Sequence, residues 1–436
     1  MARLALAACV LAGCGDNLPP PAMCDGIEPV FAHVVPLHAL ARTLPNGDVL
    51  LAGTFRESVV IGDQTLTSAG GSDIFIARIG ASISVTTYGD AEDQELLELA
   101  TNGAGGFAIA GKFRGTLDLG TGILVAVGTT SSMFVAQLGA YSRTYPVEAI
   151  LRALALSPAG ELAISGTNFD PIDFGGGVLP TGAQFLGVLD AKGDHVTSRS
   201  LASEDLSVNL DVGLAFDGSE LVVAGSYTSS IDLGGGPLPS AGAIDFYLAR
   251  FARGGAHRAS HSFGGPRNDG FRGFDGDRVT IAPSAGDLVL ASSAQPALDD
   301  SDDIFVTRLD AAFEPIWNQT FERAAGQAVG GLAVSTDGTI AITGISAGAT
   351  IAGMPAACGL ADASHAFAMT LDADGHVRWS RCFPADFAAG LSVSWRGSDE
   401  LVLAGTFSGV LEIGDARLES ENLSGFVVAV RPACTK

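Results

Sequence analysis

The chain has 436 residues, 47% hydrophobic and 17% charged, with 57 Gly and 19 Pro. That is enough apolar material for a packed core and too little charge for a disordered chain. The formal net charge of −24 excludes the basic footprint that nucleic-acid binding requires.

The chain opens MARLALAACVLAGCGDN. Arg3 is a minimal basic region and Leu4 to Leu11 a short apolar one, too short to span a bilayer. The tetrad Leu11-Ala12-Gly13-Cys14 resembles a bacterial lipobox, and Leu6-Ala7-Ala8-Cys9 is a poorer second match. The resemblance implies a signal peptide over 1–13 and lipidation of Cys14. An ordinary secretory signal is the alternative. Residues 14–28, which include Pro19-Pro20-Pro21, then read as the lipidated cysteine and a Pro-rich tether. Residues 29–436 read as one domain, because they repeat.

The repeat is a turn, often with Asp, then a hydrophobic residue, an aromatic and alternating apolar residues. The aromatics are Phe75, Phe134, Phe185, Tyr247, Phe305, Phe367 and Phe426, at gaps of 59, 51, 62, 58, 62 and 59. A preceding apolar run carries Gly53, Gly111, Gly166, Gly225, Gly344 and Gly405, with Ala291 expected at that place in the fifth unit. Turns such as Asn46-Gly47, Asp217-Gly218 and Asp337-Gly338 stand before these runs, a hairpin signal. A fourth run follows each aromatic strand, as in HRASHSF at 257 and PIWNQTF at 315. Each unit therefore reads as four short strands, a to d, which suits a propeller blade. The expected fold is all-β: a seven-bladed β-propeller of four-stranded antiparallel blades. The last unit ends after strand c, so residues 30–38 are expected to join it as strand d and close the ring. Closure would remove an exposed sheet edge.

Apart from Cys9 and Cys14, the cysteines are Cys24, Cys358, Cys382 and Cys434, which allow three pairings. Cys24 and Cys434 flank the two strands placed side by side. Cys358 and Cys382 fall within the sixth unit. Those two disulfides, Cys24–Cys434 and Cys358–Cys382, are the expected set in an exported chain, with free thiols as the alternative.

The units resemble the bacterial seven-bladed β-propeller repeat of secreted proteins and lipoproteins. Phe263-Gly264-Gly265 with Asp269 matches its blade-closing motif, and Tyr88-Gly89-Asp90 with Asp93 matches loosely. The resemblance implies the fold and often a role in binding or extracellular assembly; it does not imply a catalytic site. Trp317 and Trp379 alone hold the strand-d position at which quinoprotein dehydrogenase blades carry tryptophan, too few for that family.

No HExxH, GxSxG, P-loop or CxxC motif is present. His257 and His261 read as ordinary strand residues, and Asp372-Ala373-Asp374-Gly375 as a c–d turn rather than a calcium loop. One acidic group stands out. Asp269, Asp275 and Asp277 precede the fifth unit, and Asp299, Asp300 and Asp302 fall in its b–c connection. In a four-stranded antiparallel blade both connections emerge on the same face, so these carboxylates are a candidate calcium site; solvated loop charge is the alternative. The expected protein is a monomer, lipid-anchored in a bacterial cell envelope and facing the periplasm or exterior. Its expected role is a binding or scaffold module for a protein or glycan. The alternative is a hydrolase or lyase using the acidic rim between the fourth and fifth blades.

Overall fold

Strand pairing in the computed structural model follows the repeat. The structure describes residues 26–127, 131–182, 184–201, 212–242, 244–265, 280–294, 303–321, 327–347 and 364–433. Among these, every regular element is a strand. Units one to five each form a four-stranded antiparallel sheet in the order a-b-c-d, as in Leu40–Thr43, Val49–Ile61, Gln64–Ile79 and Ile83–Tyr88. Units six and seven share one eight-stranded sheet, joined by a single parallel pair, Ser364 with Phe387.

The repeated glycines have one physical cause. Gly53, Gly111, Gly166, Gly225, Gly344 and Gly405 each stand directly opposite the aromatic of the next strand. The ring lies across the glycine. A Cβ on Gly405 would fall 2.7 Å from Phe426 Cε1 and 2.0 Å from the Ala389 carbonyl oxygen. That carbonyl is pushed inward by a bulge in strand a between Gly390 and Ser392, and units two, three and six carry the same bulge. In the fifth unit the residue opposite Phe305 is Ser292, not Ala291, which pairs with Val306. Two small residues in succession hid the one-residue offset.

Strands b and c are apolar on both faces because both faces are covered. Each core cluster draws on two consecutive units. Leu50 and Ile74 of unit one pack with Leu96, Ile109 and Phe134 of unit two. Leu403 and Phe426 of unit seven pack with Ala341 and Ala368 of unit six. Leu51 and Phe75 of unit one pack with Val402 and Val427 of unit seven. The first strands touch in the same order, and Phe387–Arg396 lies against Leu40–Thr43. There the Thr43 and Ser394 hydroxyls are 2.8 Å apart, and the Arg396 guanidinium donates to the Gly47 carbonyl at 2.7 Å.

The N-terminal strand is Gly26–Val35, pairing antiparallel with Ala416–Ala433 from Gly26 opposite Ala433 to Val35 opposite Gly425. It starts earlier than the expected 30–38 and stops before Pro36, which has no N–H to extend the ladder. Trp379 and Trp317 each tie one unit to another element. The Trp317 indole N–H donates to the Ala373 carbonyl of the next unit, and that of Trp379 to the Gly26 carbonyl, both at 2.9 Å.

Strand-c arginines bind the acid of their own a–b turn: Arg250 to Asp217 at 2.7 Å and Arg308 to Asp287 at 2.9 Å. In units four and five the arginine thus ties the a–b turn to strand c. At the opposite end, Asp90 links units one and two. Its carboxylate accepts from the Glu92 and Thr116 backbone N–H groups at 2.9 and 2.6 Å. It also accepts from the Thr116 hydroxyl at 2.7 Å and the Gln94 amide at 2.8 Å. Desolvation raises the Asp90 pKa, but the hydrogen bonds from Glu92, Thr116 and Gln94 outweigh it and hold it below the ordinary 3.8. A depressed carboxylate stabilises the fold above its unfolded pKa, and that contribution fades as pH falls through the folded value. Asp90→Asn is therefore expected to lower stability at pH 7 and to flatten the loss of stability below about pH 4. Urea melts of both proteins from pH 7 to 3 check this; parallel curves would show that Asp90 contributes nothing to acid sensitivity.

Candidate functional site

The six candidate metal ligands, Asp269, Asp275, Asp277, Asp299, Asp300 and Asp302, lie outside the described residues, as do Cys14, Cys24, Cys358 and Cys434. Cys382 is buried in strand d of unit six and is disulfide-bonded.

Among the described residues, Asp372, Asp374 and His376 bring one potential ligand atom each within 4.8 Å of one another. The turn itself accounts for this grouping. Asp372 Oδ1 accepts the backbone N–H groups of Asp374 and His376 at 3.0 and 2.9 Å, and Arg378 lies 2.5 Å from Oδ2. Asp190 and Asp310 hold the c–d turns of units three and five by the same pair of bonds. Desolvation raises the Asp372 pKa, and the His376 backbone bond and the Arg378 charge bring it below the ordinary value. Asp372 is a turn residue, as its sequence context suggested.

The b–c connections are more elaborate than the sequence revealed. In units two, three and four they form small two-stranded sheets, Thr116–Asp118 with Ile123–Val125, Ile172–Asp173 with Val178–Leu179, and Ser230–Asp232 with Pro237–Pro239. In unit one the b and c strands instead run on as one ladder to Ile61 and Gln64. Asp173 and Asp232 each accept two glycine N–H groups in the GGG turns. The turn then lies on a histidine of strand d: a Cβ on Gly176 or Gly235 would meet the ring of His195 or His257 at 2.2 or 2.4 Å. The histidines are held by Ser198 and Ser260 at 3.1 and 3.0 Å, a structural role consistent with the strand reading of His257. His261 packs on Phe263 at 4.5 Å between ring centroids.

These connections carry exposed apolar side chains. Val60 in unit one, Ile123, Val125 and Val127 in unit two, and Phe169 and Val178 in unit three are each 50–67% exposed. They belong to three successive units.

A shallow cleft with room for little more than a water molecule lies between units three and four, bordered by the unit-four connection through Leu233. Leu186, Val188, Phe216, Leu221 and Phe251 form its apolar wall. Glu161, whose side chain is 4% exposed, accepts from Arg253 Nε at 2.7 Å. The Arg199 guanidinium stacks over Phe251 at 4.4 Å and donates to the Leu233 carbonyl at 3.1 Å.

The described residues thus define an all-β repeat protein of four-stranded antiparallel sheets. No family model matches the chain, and no curated protein matches it. Several solved structures are similar over most of its length. A protein of unknown function from Dyadobacter fermentans is 11% identical with a TM-score of 0.38, covering 94% of this chain and 100% of its own. Sqt1 from Chaetomium thermophilum is 12% identical with a TM-score of 0.45, covering 93% and 99%. YCF48, solved with a D1 peptide, is 12% identical with a TM-score of 0.43, covering 97% and 100%.

Proposed function

We propose that this chain is a lipid-anchored, extracytoplasmic binding or scaffold module, built as a seven-bladed β-propeller closed by its N-terminal strand. The ring reading is supported by the contact order of the first strands, which runs from unit to unit and returns from Phe387–Arg396 to Leu40–Thr43. It is supported too by the pairing of Gly26 with Ala433, which are two residues and one residue in sequence from Cys24 and Cys434; a Cys24–Cys434 disulfide is part of this proposal. Cys358 is the proposed partner of Cys382. Cys14 carries the lipid and holds the domain in a bacterial envelope.

The observation that carries the binding reading is that Val60, Ile123, Val125, Val127, Phe169 and Val178, on the b–c connections of units one to three, are each at least half exposed. Exposed apolar side chains that form one contiguous surface mark an interaction site. Burying each Val, Ile or Phe against a partner contributes roughly 1.5–3 kcal/mol. A photo-crosslinking amino acid at Ile123, used in intact cells with pull-down and mass spectrometry, is expected to capture one recurrent partner. Val125→Asp should abolish the capture. Absence of any partner above background from positions 123, 169 and 178 would overturn the scaffold reading.

A further inference from the structure

We infer that the outer groove between units four and five receives an extended apolar-acid-apolar-glycine segment from a partner protein; this rests on the binding-module reading above and names a second surface for it.

The b–c connections do more than join strands. Those of units one, three, four and seven fold back along strand d of their own unit. A Cβ on Gly62, Gly176, Gly235 or Gly414 would fall 2.2–2.9 Å from Ile83, His195, His257 or Pro29. Units two, three, four and seven share one pattern: Leu117-Asp118-Leu119-Gly120, Ile172-Asp173-Phe174-Gly175, Ile231-Asp232-Leu233-Gly234 and Leu411-Glu412-Ile413-Gly414. Its apolar residues are at most 5% exposed and join the core shared with the preceding unit, while its acids are exposed.

Unit five cannot supply this cover. Between equivalent strand positions the other units have residues 56–72, 114–131, 169–182, 228–244, 347–364 and 408–423, and unit five has only 295–302. A connection of that length, out and back, reaches at most about 14 Å. Pro315, the counterpart of His257, lies opposite Leu309, about 20 Å along strand c from Asp303. The exposure agrees. Pro315, Asn318 and Thr320 are exposed, where His257, Ser260 and Ser262 of unit four are half-buried. Phe305, opposite Thr320, is partly exposed, while its six counterparts are at most 2% exposed.

The molecule itself shows what fits such a groove, since four of its own junctions are closed by one pattern. The far wall also keeps its donor. Arg199, opposite Leu186, donates to the Leu233 carbonyl of the covering segment at 3.1 Å. His261, opposite Leu248, holds the same place beside unit five. An incoming strand would bury two apolar side chains over Phe305 and offer a carbonyl to His261.

The test is fluorescence anisotropy titration of the full chain with a labelled peptide of residues 228–240, which carry the unit-four pattern. Folded wild type should bind it saturably. The peptide with Ile231→Asp and Leu233→Asp should bind at least tenfold more weakly. A chimera with residues 228–244 in place of 295–302 should bind at least tenfold more weakly and gain in Tm. Thr320→Glu and His261→Ala, which leave the connections untouched, should each weaken binding at least threefold. No saturable binding to wild type at millimolar peptide, or undiminished binding to a folded chimera or to Thr320→Glu, would overturn the inference. Binding that emerges only in Phe271→Ser with Phe274→Ser would overturn it too, by making this chain's own d–a connection the occupant. The crosslinks at positions 123, 169 and 178 probe other units, so their failure and this one are separately readable.

Discussion

Removal of residues 1–35 is expected to abolish the single cooperative unfolding transition of this protein. The truncation takes the outer partner from Ala416–Ala433 along its whole ladder. It removes Val35, 2% exposed, from the cluster that joins units seven and one, and it orphans the Trp379 N–H. Burial of one valine contributes about 1.5–3 kcal/mol and a hydrogen bond about 1 kcal/mol. The proposed Cys24–Cys434 link closes nearly the entire chain, and on the chain-entropy account such a loop contributes up to about 5 kcal/mol. These losses together are comparable with the whole stability of many domains, about 5–15 kcal/mol. Urea unfolding followed by Trp fluorescence should show a broad, shifted transition for the truncated chain. The double variant Cys24→Ser with Cys434→Ser isolates the link, and its midpoint should fall without the loss of cooperativity. A reduced wild type that melts like the oxidised one would refute the staple.

Gly344→Val is expected to cost about 3 kcal/mol or more, at the upper end of overpacking effects. The new Cβ would lie 1.9 Å from the Ala328 carbonyl oxygen and 2.8 Å from Phe367 Cε1. Neither can retreat easily. The carbonyl belongs to a bulged strand, and the ring is completely buried. The matching control is Ser292→Gly, which imposes the majority residue on the fifth unit and should change stability by less than about 1 kcal/mol. Urea midpoints of both variants check the pair. A loss below about 0.5 kcal/mol for Gly344→Val would mean that the glycine is not needed by the ring opposite it.

The frame of this molecule was legible in its sequence because its rules recur. A glycine facing an aromatic in six units, an Asp-held c–d turn in units three, five and six, and alternating apolar runs recur along the chain. The fifth unit shows the limit. Ala291-Ser292-Ser293 offers three small residues, and only pairing with Phe305 identifies Ser292 as the one in register. The b–c sheets went unseen because two- and three-residue strands such as Ile172–Asp173 carry no periodicity. The acidic residues from Asp269 to Asp302 were conspicuous as composition, but carboxylates close in sequence do not define a geometry.

The pairing of Gly26–Val35 with Ala416–Ala433 also sets a timetable. The strand Gly26–Val35 is made long before Ala416–Ala433, the strand it pairs with. Its unpaired N–H and C=O groups must stay clear of other strands until then. A prematurely ended chain never receives the partner and keeps an open edge.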